Sequence, residues 1–288
     1  MANNSAINLE SLMVNTRAEA VYAAQESSLY LPGGIIGMQN VPAGSSVLQV
    51  PVIDQASAAE KDISGSAFGA DDFTSNALTD TSVTMNVGLY AARTILRDLG
   101  GIDPMVVGNQ LGKSVAKKFD QDVTALFDDF TTHTAIAGSG TNNLLKVNDI
   151  FKAAATLRGA GVMGPLKGVF HPEQVYALLT ELTGSSFAAS DAQNEAMRNG
   201  YVGTIAGVEM YQSAYITVDE AAPDHLWNGI VFEKDAMAIG IQRNVDIEMG
   251  RRPEAVGMDV VASLMAAVGV VDGNRGVHVQ STGFTVET

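Results

Sequence analysis

The chain has 288 residues and no cysteine, only four histidines, one tryptophan and eight prolines, and charged residues make up just 17% of it. Without cysteine there can be no disulfide staple, thiolate metal site or cysteine nucleophile. The histidines His133, His171, His225 and His278 lie 38, 54 and 53 residues apart, so none forms a local ligand pair. Basic side chains are outnumbered 17 to 32 by acids, a net charge of −15. Such a surface does not grip nucleic acid by counterion release over its whole extent. No apolar run approaches the roughly 20 residues that span a bilayer, and no basic-then-apolar leader opens the chain. The expectation is a soluble protein made in the cytoplasm, with no membrane partner.

What remains is ample for a core. Hydrophobic residues reach 46% and mean hydropathy is +0.12, which excludes global disorder. The length allows one large domain or two small ones. A charged fraction below the roughly 25% of ordinary soluble proteins leaves much uncharged surface. That surplus points to burial against copies of the same chain.

Residues 1 to 40 read as an arm: Asn8 to Gln25 can form an amphipathic helix with Leu9, Leu12, Met13 and Ala20 on one side, and Leu31-Pro32-Gly33-Gly34 ends it. Val47 to Ile53 is strand-like, with Pro51 marking an edge or a bulge. Thr81 to Leu89 alternates with period two. Between them Asp54, Glu60, Asp62, Asp71, Asp72 and Asp80 face Lys61 alone, a net −5. A connector this long is either a surface insertion or a two-stranded arm that needs a neighbouring subunit to order it.

Asp103-Pro104 suits the start of a helix. Val107, Leu111, Val115, Phe119, Val123, Leu126 and Phe130 recur at a mean spacing of about 3.8. A helix over 104–133 would be about 45 Å long. After the turn at Gly138 to Asn143, the chain predicts a helix from Asp149 to Arg158, a buried strand from Lys167 to His171 and a helix from Pro172 to Leu182. A loop over 184–200, a turn and strand over 201–211, and strands at 228–232, 237–242, 245–249, 258–268 and 276–285 follow. The class is α+β, with a central sheet in the second half.

Few motifs carry chemistry. Gly108-Asn109-Gln110-Leu111-Gly112-Lys113-Ser114 resembles a phosphate loop but has three residues between its glycines and lies inside the long helix. Lys113, Lys117 and Lys118 are either a solvated face paired to Asp120 and Asp122 or a contact for a polyanion or a neighbour's acids. Arg251-Arg252-Pro253-Glu254 reads as a hairpin tip, exposed or in contact with another subunit. His171 precedes Pro172 as a hydrogen-bonding residue at a helix start, with no activated nucleophile nearby. No catalytic, metal or cofactor constellation emerges.

The order of parts, an N-terminal arm, an acidic hairpin, a spine helix, an α/β half and long returning strands, resembles the tailed-bacteriophage major capsid protein of the Hong Kong 97 fold. The stretch from Gly168 to Leu179 looks like that family's axial-domain strand and helix. Gly207-Val208-Glu209-Met210-Tyr211-Gln212-Ser213 is similar to its G-x-x-V-x-x-S strand, with Met210 in place of valine. Phe232 to Ala238 and the closing run Ala266 to Asp272 extend the likeness over nearly the whole chain.

The resemblance implies an N-terminal arm at 1–43, an extended loop at 44–88, a peripheral domain with the spine helix at 89–137 and an axial domain at 138–230. Peripheral strands and a tip loop would follow at 231–265, and strands returning to the axial domain at 266–288. It implies hexamers and pentamers closing into an icosahedral head around double-stranded DNA, held by weak contact, and no enzyme activity or cofactor. Portal protein, a separate scaffolding protein (because the chain starts almost at the arm) and a possible decoration protein are the expected partners. Intersubunit contacts are expected at Lys61, Asp62, Asp71, Asp72, Arg251, Arg252 and Glu254. Lys61 is the one lysine in the loop, and no cross-linking partner is identified for it. The alternatives are an encapsulin-like shell and, from another class, a hydrolase using dispersed acids.

Overall fold

A computed structural model describes residues 4–53, 80–97, 104–140, 143–184, 201–219 and 226–282. In chain order these form α1 (Asn4–Ser27), β1 (Gly37–Asn40), β2 (Val47–Ile53), β3 (Asp80–Asn86), β4 (Gly88–Arg97), α2 (Pro104–Ala125), β5 (Ile136–Ala137) and α3 (Val147–Gly159). They continue with β6 (Leu166–Phe170), α4 (Pro172–Gly184), β7 (Tyr201–Ile205), β8 (Val208–Gln212), β9 (Val218–Asp219), β10 (Leu226–Glu233), β11 (Met237–Arg252), β12 (Gly257–Val270) and β13 (Gly276–Thr282).

Two sheets and a hairpin organise these strands. One sheet has the order β1-β11-β12-β4; the other runs β5-β13-β10-β6-β8-β7, with β9 on β10. Among the described residues β2 and β3 pair only with each other. α1 and α2 cover one face of the first sheet, burying Leu111, Val115, Phe119 and Val123 against Val245, Ile247, Val260, Ala262 and Leu264. α3 and α4 pack on the second sheet through Ile150, Leu157, Val175 and Leu178. Each such side chain contributes roughly 1.5–3 kcal/mol by leaving water. β6 is buried at all five positions, as expected of a strand enclosed on both faces.

The phosphate-loop lookalike has a packing explanation. α1 crosses α2 so closely that a Cβ on Gly108 would lie 2.6 Å from Thr16 Cγ2, and one on Gly112 would lie 2.4 Å from the Ala20 carbonyl oxygen. Thr16, Ala20, Ala23 and Ala24 are all buried. The two glycines let the helix backbones touch, and the N-terminal arm gains a seat it could not build alone.

Four expectations are corrected. The spine helix ends at Ala125 and tightens to a 3₁₀ turn over Leu126–Asp129, so at 22 residues it is about 33 Å long. That tightening buries Phe127 fully and leaves Leu126 partly buried against the same core, and Phe130 follows three residues on. The period-two segment after residue 80 is two strands, because Val87 breaks the run and β4 then carries on to Arg97. The expected strands 237–242 and 245–249 are one strand, β11, interrupted by register shifts between Ile241 and Asp246. Bulges of this kind insert extra residues and bend the strand without ending it. Asp103 and residues 185–200 lie outside the described residues.

Candidate assembly surfaces

The β2–β3 hairpin is anchored by small residues in the sheet below it. Leu48, Val50 and Met85 cluster with Val41, Ala238 and Ala267. A Cβ on Gly240 would lie 2.6 Å from Leu48 Cδ2, and one on Gly269 would lie 2.9 Å from Met85 Cγ. Those two glycines are sockets for the hairpin's apolar side chains. At the hairpin root, Gln242 in the bulged stretch of β11 donates from Nε2 to the Pro42 carbonyl at 3.1 Å. The bulge therefore aims a side chain that fixes the loop leading into β2.

Pro51 is placed without loss of a ladder bond. Val87 N donates to the Ser46 carbonyl at 2.9 Å, and the register pairs Leu48 with Met85, Val50 with Val83 and Val52 with Thr81. Bonded and non-bonded pairs alternate in an antiparallel ladder, so Pro51 faces the outer edge. It lines a groove of about 480 Å³ between β1 and β2 and lacks the N–H that another strand would need there. The acidic segment that follows Ile53 lies outside the described residues, and with it the candidates Lys61, Asp62, Asp71 and Asp72.

The other candidates stand where the spacing put them, at the turn between β11 and β12. Arg251 and Glu254 are exposed. Arg252 Nη2 lies 3.8 Å from Glu254 Oε2, and its Nη1 lies 4.0 Å from Asp259 Oδ2. Arg93 on β4 donates from Nε to Asp259 Oδ1 at 2.8 Å. The Arg93 hydrogen bond and charge hold the Asp259 carboxyl below the usual carboxylate range, and Arg252 adds to the effect. Sequence reasoning missed Arg93 and Asp259, whose sequence separation of 166 residues is closed only by the β4–β12 register. It also missed Val256, 59% exposed and held at φ 46°. A β-branched residue in the left-handed region is strained by about 1–3 kcal/mol. Near this tip β4 carries exposed Ile95, opposite Asp259, and at the far end of the same strand exposed Leu89, opposite Met265.

The lysine cluster pairs only in part as expected. Lys118 bonds Asp122, and Lys117 lies 5.8 Å over the Tyr215 ring. Asp120, however, is buried and faces the turn after α1, so it is not a surface partner for lysine.

Among the described residues no three histidine, aspartate or glutamate side chains gather as a metal site, and no helix is long and apolar enough to cross a membrane. His171 Nδ1 accepts from the Glu173 amide at 3.3 Å, the helix-start role expected of it. Its ring also stacks on Trp227, with centroids 3.5 Å apart. Burial lowers its pKa, and Glu173 partly opposes the shift. His133 Nε2 lies 2.9 Å from the Asn274 carbonyl. His278 is buried 3.7 Å from Asp128, and its pKa is also lowered by burial. These contacts tie strands and helices together.

No protein-family model matches the chain, and no curated protein matches it in sequence. Solved structures do match. The capsid of Ralstonia phage GP4 superposes with a TM-score of 0.72 at 9% identity, covering 88% of this chain and 89% of that one. The chain has the Hong Kong 97-like capsid fold. The head structure of Helicobacter pylori bacteriophage KHP40 matches at a TM-score of 0.65 with 13% identity over 88% and 91% of the two chains. A virus-like particle from Pyrococcus furiosus matches at 0.60 with 10% identity over 93% and 98%. The capsid fold thus accounts for nearly the whole chain.

Proposed function

We propose that this chain is the major capsid protein of a tailed phage, assembling with itself into hexamers and pentamers that close an icosahedral head around double-stranded DNA. The observation that carries the reading is the capsid fold over about nine-tenths of the chain, on a body whose N-terminal helix and hairpin are peripheral parts seated on a rigid two-sheet core. One sequence must occupy non-identical positions in such a shell, which bendable arms on a repeating core allow. The divisions at 1–43, 44–88, 89–137, 138–230, 231–265 and 266–288 then serve as arm, extended loop, peripheral body, axial body, tip strands and return.

In this reading Lys61, Asp62, Asp71 and Asp72 reach over a neighbour, and Arg251, Arg252 and Glu254 meet another copy at the tip. Its further partners are scaffolding, portal and decoration proteins. The subunit has a structural role and no enzymatic step, and its place is the virion, after assembly in the host cytoplasm. Its net charge of −15 keeps contact with packaged DNA weak; strong, salt-sensitive DNA binding by isolated capsomers would contradict that part.

A second reading, a shell without a genome, is favoured by the 98% coverage of the Pyrococcus furiosus particle chain. Sedimentation of the purified chain tests both. Capsomers or shells support assembly, and a species that stays at 30.1 kDa under all conditions overturns it. Nuclease-protected double-stranded DNA in native particles separates the phage head from the genome-free shell.

A further inference from the structure

The two edges of the four-stranded sheet differ. β1 is four residues long, whereas β4 runs for ten residues and, among the described residues, pairs only with β12. Successive residues of β4 have successive partners on β12 with no register shift, so no bulge bends this edge away. Proline is absent from it, in contrast to β2 with Pro51. A regular edge of this length directs a row of backbone N–H and C=O groups outward, which is a template for another strand.

The side chains of β4 divide by face. Tyr90, Ala92 and Leu96 pack against the core under α2, with Tyr90 edge-on to Phe119. Leu89, Ala91, Arg93, Ile95 and Arg97 alternate with them and are exposed. Leu89 at 61% and Ile95 at 40% are the large apolar side chains of that face, and they stand three residues to either side of Ala92. Arg93 between them carries no unpaired charge, because its Nε donates to both carboxylate oxygens of Asp259 on β12.

We propose that β4 is a self-pairing edge: two copies of this chain join antiparallel along it, about a two-fold axis through Ala92, and their four-stranded sheets merge into one. The partner is a second copy because the strand is complementary to itself in this register. Leu89 of each copy lies opposite Ile95 of the other, and Arg93 lies opposite Ala91. Moving the register by two residues either way sets Leu89 against Arg93 or Arg97, and moving it by one turns a buried face outward. The run from Gly88 to Leu96 is paired throughout and forms about eight to ten backbone hydrogen bonds, the number found in an ordinary protein interface. The inference rests on the reading that the chain assembles with itself, and it adds where one contact lies. Contacts within a hexamer or pentamer are head-to-tail, whereas a strand paired with its own copy requires a two-fold axis. β4 therefore ties one capsomer to the next.

The absence of cysteine makes the test direct. In the full chain carrying both Leu89→Cys and Ile95→Cys, the two positions of one copy are about 20 Å apart along the strand, too far to join. Mild oxidation of the assembled protein, or a short bis-maleimide, should therefore link separate copies, and peptide mapping should find position 89 joined to position 95. The linked dimer should be about tenfold more abundant than with Leu89→Cys or Ile95→Cys alone. A dimer as abundant in either single variant overturns the register and the proposal with it. Shells that form without the 89–95 link show that another segment or partner covers β4, and they overturn the proposal while leaving the capsid reading intact. A chain that stays single under all conditions overturns both.

Discussion

The backbone of Gly112 lies against the carbonyl of Ala20, so close that a methyl group on Gly112 would sit 2.4 Å from that oxygen. A helix that reads as polar at this point is therefore a contact surface for the N-terminal arm.

Gly112→Ala must push α1 away or shift it along the seam. Overpacking of this kind costs about 1–3 kcal/mol, and chemical denaturation should show a loss in that range. Gly159→Ala is the control, because nothing lies within 4 Å of a Cβ there. It should be neutral or stabilising by less than about 1 kcal/mol.

Pro51→Val restores an N–H on the free edge of β2. The β2–β3 ladder should survive, because that position faces outward, while the groove beside β1 becomes able to pair with an added strand. Light scattering of the unassembled chain should rise relative to the unaltered protein; unchanged scattering would count against the edge-blocking role.

The stack of His171 on Trp227 supplies a pH readout, since Trp227 is the only tryptophan. A protonated imidazole quenches an indole in contact with it. Burial favours the neutral ring, so its share of stability is present at neutral pH and lost as pH falls through the lowered pKa. Tryptophan emission should drop on acidification with a midpoint below 6.5, and His171→Gln should flatten the curve.

Arg252→Glu places like charges beside Glu254 and Asp259 at the tip. Thermal unfolding of the unassembled chain should stay close to that of the unaltered protein, while assembly measured by sedimentation should fall sharply. Normal assembly would remove the tip from the set of intersubunit contacts.

Much of this fold is legible in the chain because short-range patterns set it. β2 matches its expected bounds, since its β-rich run and edge proline leave little choice. The end of α2 was not legible, because spacings of three and four continue through the switch to a 3₁₀ turn and hide the full burial of Phe127 beside a partly buried Leu126. β11 reads as two strands because Gln242, Arg243 and Asn244 interrupt its apolar residues, and only pairing with β12 carries it across. Asp120 looks like a surface acid among lysines, because its partner Ser28 is 92 residues away. The tip residues Arg251, Arg252 and Glu254 could be found from turn chemistry, but the Arg93–Asp259 pair beside them could not, because it exists only in the assembled sheet.

Electron microscopy of the purified chain under assembly conditions tests the central claim most directly. The account predicts closed icosahedral shells in which the segment between Ile53 and Asp80 lies over an adjacent copy. Uniform single chains, with no capsomers or shells under any assembly condition, would contradict it.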